Sequence, residues 1–105
     1  MIKLYNDGKR ITAALYGDID HHAARKMREE LDNVIARSAP EMLIIDLENV
    51  GFMDSSGIGL VMGRYKLMKS MGGEIRVENL SAGAYRVMRL AGLERLGEIK
   101  QKELV

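Results

Sequence analysis

The order of apolar and polar positions divides the chain into two opening strands and then helices alternating with strands. Ile2-Lys3-Leu4-Tyr5 reads as a short strand and Asn6-Asp7-Gly8 as a turn, because Asn, Asp and Gly tolerate positive φ. From Arg10 to Tyr16 the alternation puts Ile11, Ala13 and Leu15 on one face, as in a half-buried strand. These two segments are expected to pair as a hairpin. Gly17-Asp18-Ile19-Asp20 ends the second strand. From His21 to about Arg37 the period changes, and Ala24, Met27, Leu31, Val34 and Ile35 recur at three- and four-residue steps. That spacing is one apolar stripe of a helix. Asp20 is its expected N-cap, since a carboxylate there accepts from the orphan amides of the first turn. Ser38-Ala39-Pro40 stops it.

Met42-Leu43-Ile44-Ile45-Asp46-Leu47 is an almost continuous apolar run. A strand apolar on both faces belongs in the middle of a sheet covered by helices. Glu48 to Met53 connects it to Asp54-Ser55-Ser56-Gly57, where a second helix begins and runs to about Met71. Its expected core stripe is Ile58, Val61, Met62, Tyr65 and Met68, and Gly72-Gly73 ends it. Glu74 to Glu78 reads as a further strand. Ser81 is the expected N-cap of a third helix, with Tyr85, Val87, Met88, Leu90 and Ala91 inside and Gly92 just past its end. Leu96 to Lys100 has the pattern of a last short strand. The order ββαβαβα(β) predicts an α/β sandwich on a mixed sheet.

Composition narrows the function classes. The 105 residues predict one domain. A hydrophobic content of 47% suffices for a core, which in a chain of this size buries roughly two thirds of the unfolded surface. Sixteen basic against fifteen acidic residues leave a net charge of +1, too little to supply a field for nucleic acid or anionic lipid. With four Tyr, one Phe and no Trp, few side chains could stack on bases. The chain has no cysteine, which removes disulfides, thiol catalysis and thiolate metal sites and fits a reducing compartment. The N-terminus has no apolar signal core, and no apolar run approaches the ~18 residues of a membrane span. A cytoplasmic domain, monomeric when free, is the expectation.

The candidate chemistry lies between Asp46 and Lys66, where a buried strand feeds through a loop into a helix that starts at paired serines. Helix N-termini present free N–H groups and partial positive charge. A hydroxyl there is either an N-cap or a group held in solvent for modification. Ser56, Gly59 and Gly63 share a smooth helical face. That face would serve either close approach of another backbone or tight packing on the protein's own sheet. Enzyme readings fail on spacing. A nucleophile elbow needs Gly two residues before its Ser, and Met53 stands there. A P-loop needs Gly-Lys-Ser/Thr at its end, but Arg64-Tyr65 follows Gly63. Gly57-Ile58-Gly59 starts a dinucleotide fingerprint whose third glycine is replaced by Met62. No catalytic residue and no cofactor is expected. Asp18, Asp20, His21 and His22 could be weighed as a metal site. Adjacent helical His residues point about 100° apart, so Asp20 is read as a cap, His21 as a surface group, and no metal is expected. Arg64, Lys66 and Lys69 are expected on a solvated helix face.

Four stretches together carry a family resemblance: Gly17-Asp18-Ile19-Asp20-His21-His22, then Phe52-Met53-Asp54-Ser55-Ser56-Gly57-Ile58-Gly59, then Gly63-Arg64-Tyr65-Lys66, and Gly72-Gly73-Glu74. The chain resembles the anti-sigma factor antagonists, single STAS domains, and within them the sporulation branch acting on the anti-sigma-F factor. The resemblance spans about residues 1–100. It implies the STAS fold, a mixed four- to five-stranded sheet with helices packed mainly on one side. It implies a partner switch as well. The unphosphorylated antagonist binds a dimeric, ATP/ADP-bound anti-sigma factor that is also a serine kinase, and so frees the sigma factor. Phosphorylation on the first serine of the pair, here Ser55, ends the binding, and a PP2C-type serine phosphatase reverses it. By the same resemblance Asp54, Ser56, Gly57, Ile58 and Gly59 form the recognition loop, and Asp20 and His21 contact the kinase. The resemblance departs at the end of the chain. Gln101 to Val105 takes the place of a C-terminal helix common in that branch, so such a helix is expected to be short, absent or replaced. Two other readings are a STAS module of a stress-signalling scaffold, which usually lies in a longer chain, and a small nucleotide-binding domain, for which no complete phosphate cradle exists.

Overall fold

In the computed structural model, which describes residues 1–103, the chain forms a five-stranded sheet with three helices. Strand β1 spans Ile2–Asn6 and β2 spans Arg10–Tyr16; α1 spans His21–Ser38 and β3 spans Met42–Asn49. Helix α2 spans Ser55–Ser70, β4 spans Glu74–Leu80, α3 spans Ala82–Leu90 and β5 spans Glu98–Gln101. A single 3-10 turn, Leu93–Arg95, leads into β5. The spatial order is β1-β2-β3-β4-β5, with β1 antiparallel to β2 and the other neighbours parallel. The expected hairpin forms. Asn6 Oδ1 accepts from Gly8 N at 2.7 Å, Asp7 Oδ1 accepts from Arg10 N at 2.8 Å, and Gly8 has φ +97°.

Period-two alternation decides which sheet face is covered. Ile11, Ala13 and Leu15 of β2, Leu43, Ile45 and Leu47 of β3, and Ile75 and Val77 of β4 share one core cluster. Ala24, Met27, Leu31, Val34 and Ile35 of α1, Leu60, Val61 and Met68 of α2, and Met88 of α3 join that cluster. The helices therefore share one side of the sheet. β3 is central, as its apolar run predicts, and Ile44 on its other face is also buried.

Several expectations change in detail. β3 runs on to Asn49 and β4 to Leu80, because parallel pairing continues beyond the apolar runs. The last strand starts at Glu98, after the 3-10 turn. In α2 the buried line is Gly57, Leu60, Val61, Arg64 and Met68, while Ile58, Met62 and Tyr65 pack half-buried around it. Arg64, expected in solvent, is only 6% exposed. It falls on the i+4 row of Leu60 and Met68, so its stem is carried under α1. Lys66 and Lys69 are exposed as expected. In α3 only Met88 is buried; Val87 and Leu90 face solvent, Leu90 at 79% exposure, and Ala91 is the C-cap. This helix lies near the edge of the sheet, over β4 and β5, so a single row of its residues reaches the core. Gln101 ends β5, and Lys102 N donates to Leu80 O at 2.7 Å. Of the tail, Leu104 and Val105 lie outside the described residues.

Candidate functional site

Because β2, β3 and β4 are parallel, the helices that follow them all begin at the same end of the sheet. Each starts on a side-chain cap. Asp20 Oδ1 accepts from Ala23 N at 2.8 Å, Asp54 Oδ1 from Ser56 N at 2.8 Å, and Ser81 Oγ from Ala84 N at 3.1 Å. Asp20 and Ser81 thus cap as the sequence predicts. Asp54, with φ −90° and ψ −170°, is the cap of α2, so Ser55 is the first helical residue and its hydroxyl is not spent on capping. Ser55 is exposed and Ser56 is half-buried. Of the two roles open to a serine at this helix start, the geometry leaves Ser55 the solvent-facing one.

The loops before α1 and α2 are tied together. Ile19 and Met53 form an isolated parallel bridge. Ile19 N donates to Phe52 O at 2.8 Å, and Asp54 N donates to Ile19 O at 3.1 Å. Ile19 is fully buried beneath them. The loops also press together at Gly51, where a Cβ would stand 3.2 Å from Asp18 Oδ1. The bridge holds Asp20 and His21 beside the Asp54–Gly59 turn, so residues 33 or more positions apart in sequence meet on one surface. Gly57 is needed for the same assembly: it is buried, and a Cβ there would land on Met53 Cγ and Sδ. Gly59 differs. It is exposed, and a Cβ there would meet no atom within 4 Å. Gly63 is half-buried, and a Cβ there would likewise meet no atom within 4 Å. The smooth face of Ser56, Gly59 and Gly63 is therefore not used for tight packing inside this molecule.

A groove flanks each side of this turn. On the α3 side, a groove of about 410 Å³ is lined by Phe52, Met53, Ile58, Ala84 and Val87, together with Asp54 and Ser55 of the turn. On the α1 side, a groove of about 510 Å³ is lined by His21, Arg25, Arg28, Ser56 and Gly59 over Ala24 and Leu60. Val87, read in the sequence only as an apolar position inside the third helix, lines the first groove, and no motif gives Arg25 or Arg28 of the second groove a role. Further along the α1–α2 contact, Arg64 Nε lies 2.8 Å from Asp32 Oδ1. The contact is an ion pair without an aligned hydrogen bond, and Arg64 Nη1 is buried without a partner. Burial pushes the Arg64 guanidinium below its ordinary range; Asp32 opposes that shift and Arg28 adds to it.

Residues 6–103 match the STAS domain model. The chain belongs to the STAS domain family. This STAS domain is 37% identical over 90 residues to the anti-sigma F factor antagonist of Paenibacillus polymyxa, covering 86% of this chain and 77% of the relative. It is 35% identical over 92 residues to the anti-sigma-B factor antagonist of Bacillus subtilis (strain 168), covering 88% and 83%. Among solved structures, it resembles the anti-sigma factor antagonist SpoIIAA in its unphosphorylated form, with TM-score 0.74, 26% identity and coverage of 99% and 90%. It also resembles the Bacillus cell-fate determinant SpoIIAA in its phosphorylated form, with TM-score 0.77, 29% identity and coverage of 94% and 90%. Among the described residues, no helix of this STAS domain is long and apolar enough to cross a membrane.

Proposed function

We propose that this STAS domain is an anti-sigma factor antagonist switched by phosphorylation of Ser55. The observation that carries the reading is the exposed Ser55 side chain at the first helical position of α2, freed from capping by Asp54. Relatives named as antagonists support it, as does the likeness to a protein solved with and without phosphate. Unphosphorylated, the domain binds an anti-sigma factor that is an ATP/ADP-bound dimeric serine kinase, and the sigma factor is released in the cytoplasm. Asp20, His21, Asp54, Ser56, Gly57, Ile58 and Gly59 make the contact around Ser55.

The domain is a substrate in this cycle and not a catalyst. The kinase moves the γ-phosphoryl group of ATP to Ser55 Oγ; the hydroxyl proton is lost and ADP leaves. A PP2C-type phosphatase hydrolyses the ester, giving the serine back with inorganic phosphate. The added group carries about −1.5 to −2 charges. It meets repulsion from the adjacent Asp54 carboxylate and attraction from the start of α2, the latter worth about 0.3–1 kcal/mol at an exposed site. The two effects oppose, so the fold persists and the switch works by bulk and charge in a close-fitting interface.

The decisive experiment is a pull-down of the anti-sigma factor kinase with this domain, in ADP and in ATP, followed by mass spectrometry of the serine peptide. Complex in ADP, with phosphate on Ser55 and release in ATP, is the expected result. Ser55→Ala should bind and stay unmodified, and Ser55→Asp should bind poorly. Equal phosphorylation of Ser55→Ala and the parent would refute the assignment.

A further inference from the structure

The α1–α2 groove has a chemistry that the folded domain does not itself use. His21, Arg25 and Arg28 recur at four- and three-residue steps on α1, so one row of side chains forms a wall of the groove. All three are exposed. Among the described residues, neither arginine has a carboxylate within ion-pair distance, whereas the neighbouring Arg64 is held by Asp32. Arg28 lies close enough to Arg64 for the two cations to act on one another. The opposite wall comes from Ser56 and the bare Gly59. The groove is therefore a cationic channel with free height above one side, continuous with the Ser55 turn through Ser56 and His21.

Unpaired guanidinium groups along a cleft attract carboxylates and bind them in a fixed planar geometry. The absent side chain at Gly59 leaves room for a main chain to come close. We propose that this groove is the docking track for an acidic segment of the anti-sigma factor, with Arg25 and Arg28 reading its carboxylates and Gly59 admitting its backbone. The inference rests on the antagonist function proposed above and extends the partner surface from the serine turn to the second turn of α1. It makes Arg25 and Arg28 determinants of which anti-sigma factor this antagonist accepts.

The test measures binding of the full chain to the anti-sigma factor kinase in ADP by calorimetry, alongside steady-state phosphorylation of Ser55. The double variant Arg25→Glu/Arg28→Glu should weaken binding at least tenfold and raise the KM for the antagonist, leaving kcat within about twofold. Both positions are exposed, so its circular dichroism should match the parent, and its melting temperature should not fall, because a carboxylate at position 28 removes a repulsion from Arg64. Lys9→Glu/Arg10→Glu makes the same charge change at the far end of the sheet and should leave binding within twofold. Gly59→Leu fills the open side of the groove and should weaken binding without lowering the melting temperature. The parent's affinity should fall more steeply with salt than that of Arg25→Gln/Arg28→Gln, because two charge contacts are gone from the variant. If the parent binds the kinase but Arg25→Glu/Arg28→Glu binds equally well or more tightly, the groove proposal fails and the antagonist function stands. Equal losses from both charge-reversed pairs would mean long-range attraction only and would also overturn it. If the parent does not bind, the functional reading falls and takes the groove with it. Tighter binding of the parent to single-stranded DNA than to the kinase would replace the acidic protein segment with a phosphate backbone and overturn the proposal.

Discussion

Gly57 and Gly59 stand two residues apart in the first turns of α2, yet they face different surroundings. Gly57 lies against Met53, whose main chain is bridged to the buried Ile19, and no Cβ fits there. Gly59 looks into open space on the α1 side. The first glycine serves the fold by letting two loops close on each other. The second costs helix stability with no compensation inside the domain. A residue that weakens its own helix and fills no internal need points outward, so the comparison separates the part of the turn that builds the site from the part that presents it.

The largest effect should come from the inward glycine. Gly57→Ala forces Met53 away from the Ile19 bridge, and overpacking of this kind costs about 1–3 kcal/mol. Urea unfolding should show that loss. Parent-like stability would mean that Met53 swings aside freely and that the loops are not locked by this contact. Next comes the interhelical pair. Asp32→Ala leaves the Arg64 guanidinium buried and unpaired. Because the Asp32 side chain is 40% exposed, water softens the penalty to about 1–2 kcal/mol, below that of a deeply buried pair. Arg64→Met replaces the cation by an apolar chain of similar length and should be near neutral by the same measurement. The two variants together distinguish a pair that stabilises from one that merely avoids a cost. A smaller loss, about 1 kcal/mol, is expected for Asp54→Ala, which removes the cap from α2. Amide hydrogen exchange at Ser56 should speed up in this variant, while the amides near the Asp20 cap stay protected.

The layout of strands and helices was legible because alternation and three-four spacing report burial directly. Ile11, Ala13 and Leu15 fall on the covered face as the pattern requires, and so do the five apolar positions of α1. Legibility failed where burial depends on a distant partner. Arg64 looks solvated until Asp32 is brought opposite it by the α1–α2 contact. Val87 and Leu90 read only as apolar positions of a helix, and which of α3's residues reach the core is decided by its place at the sheet edge, where one row suffices. The serine turn announced itself through its residue types and its family resemblance. The pairing of Ile19 with Met53, which brings Asp20 and His21 to that turn, is a long-range backbone event that no local pattern encodes. Arg25 and Arg28 were invisible for a related reason: cations on a helix read as solvated until the facing wall is known.

The smallest predicted effect tests the outward glycine by its sign. In Gly59→Ala the new Cβ meets no atom, and the position has ordinary helical backbone inside α2. Alanine restricts the unfolded chain and favours the helix, so the domain should gain about 0.5–1 kcal/mol. In thermal unfolding that is a rise of a few degrees for a chain of this size. A loss of stability would show that Gly59 is needed internally and would remove the contrast with Gly57. If stability rises while binding to the anti-sigma factor weakens, the two quantities move in opposite directions at a single methyl group. That combination is what a surface kept bare for a partner must produce, and packing within the domain has no means of producing it.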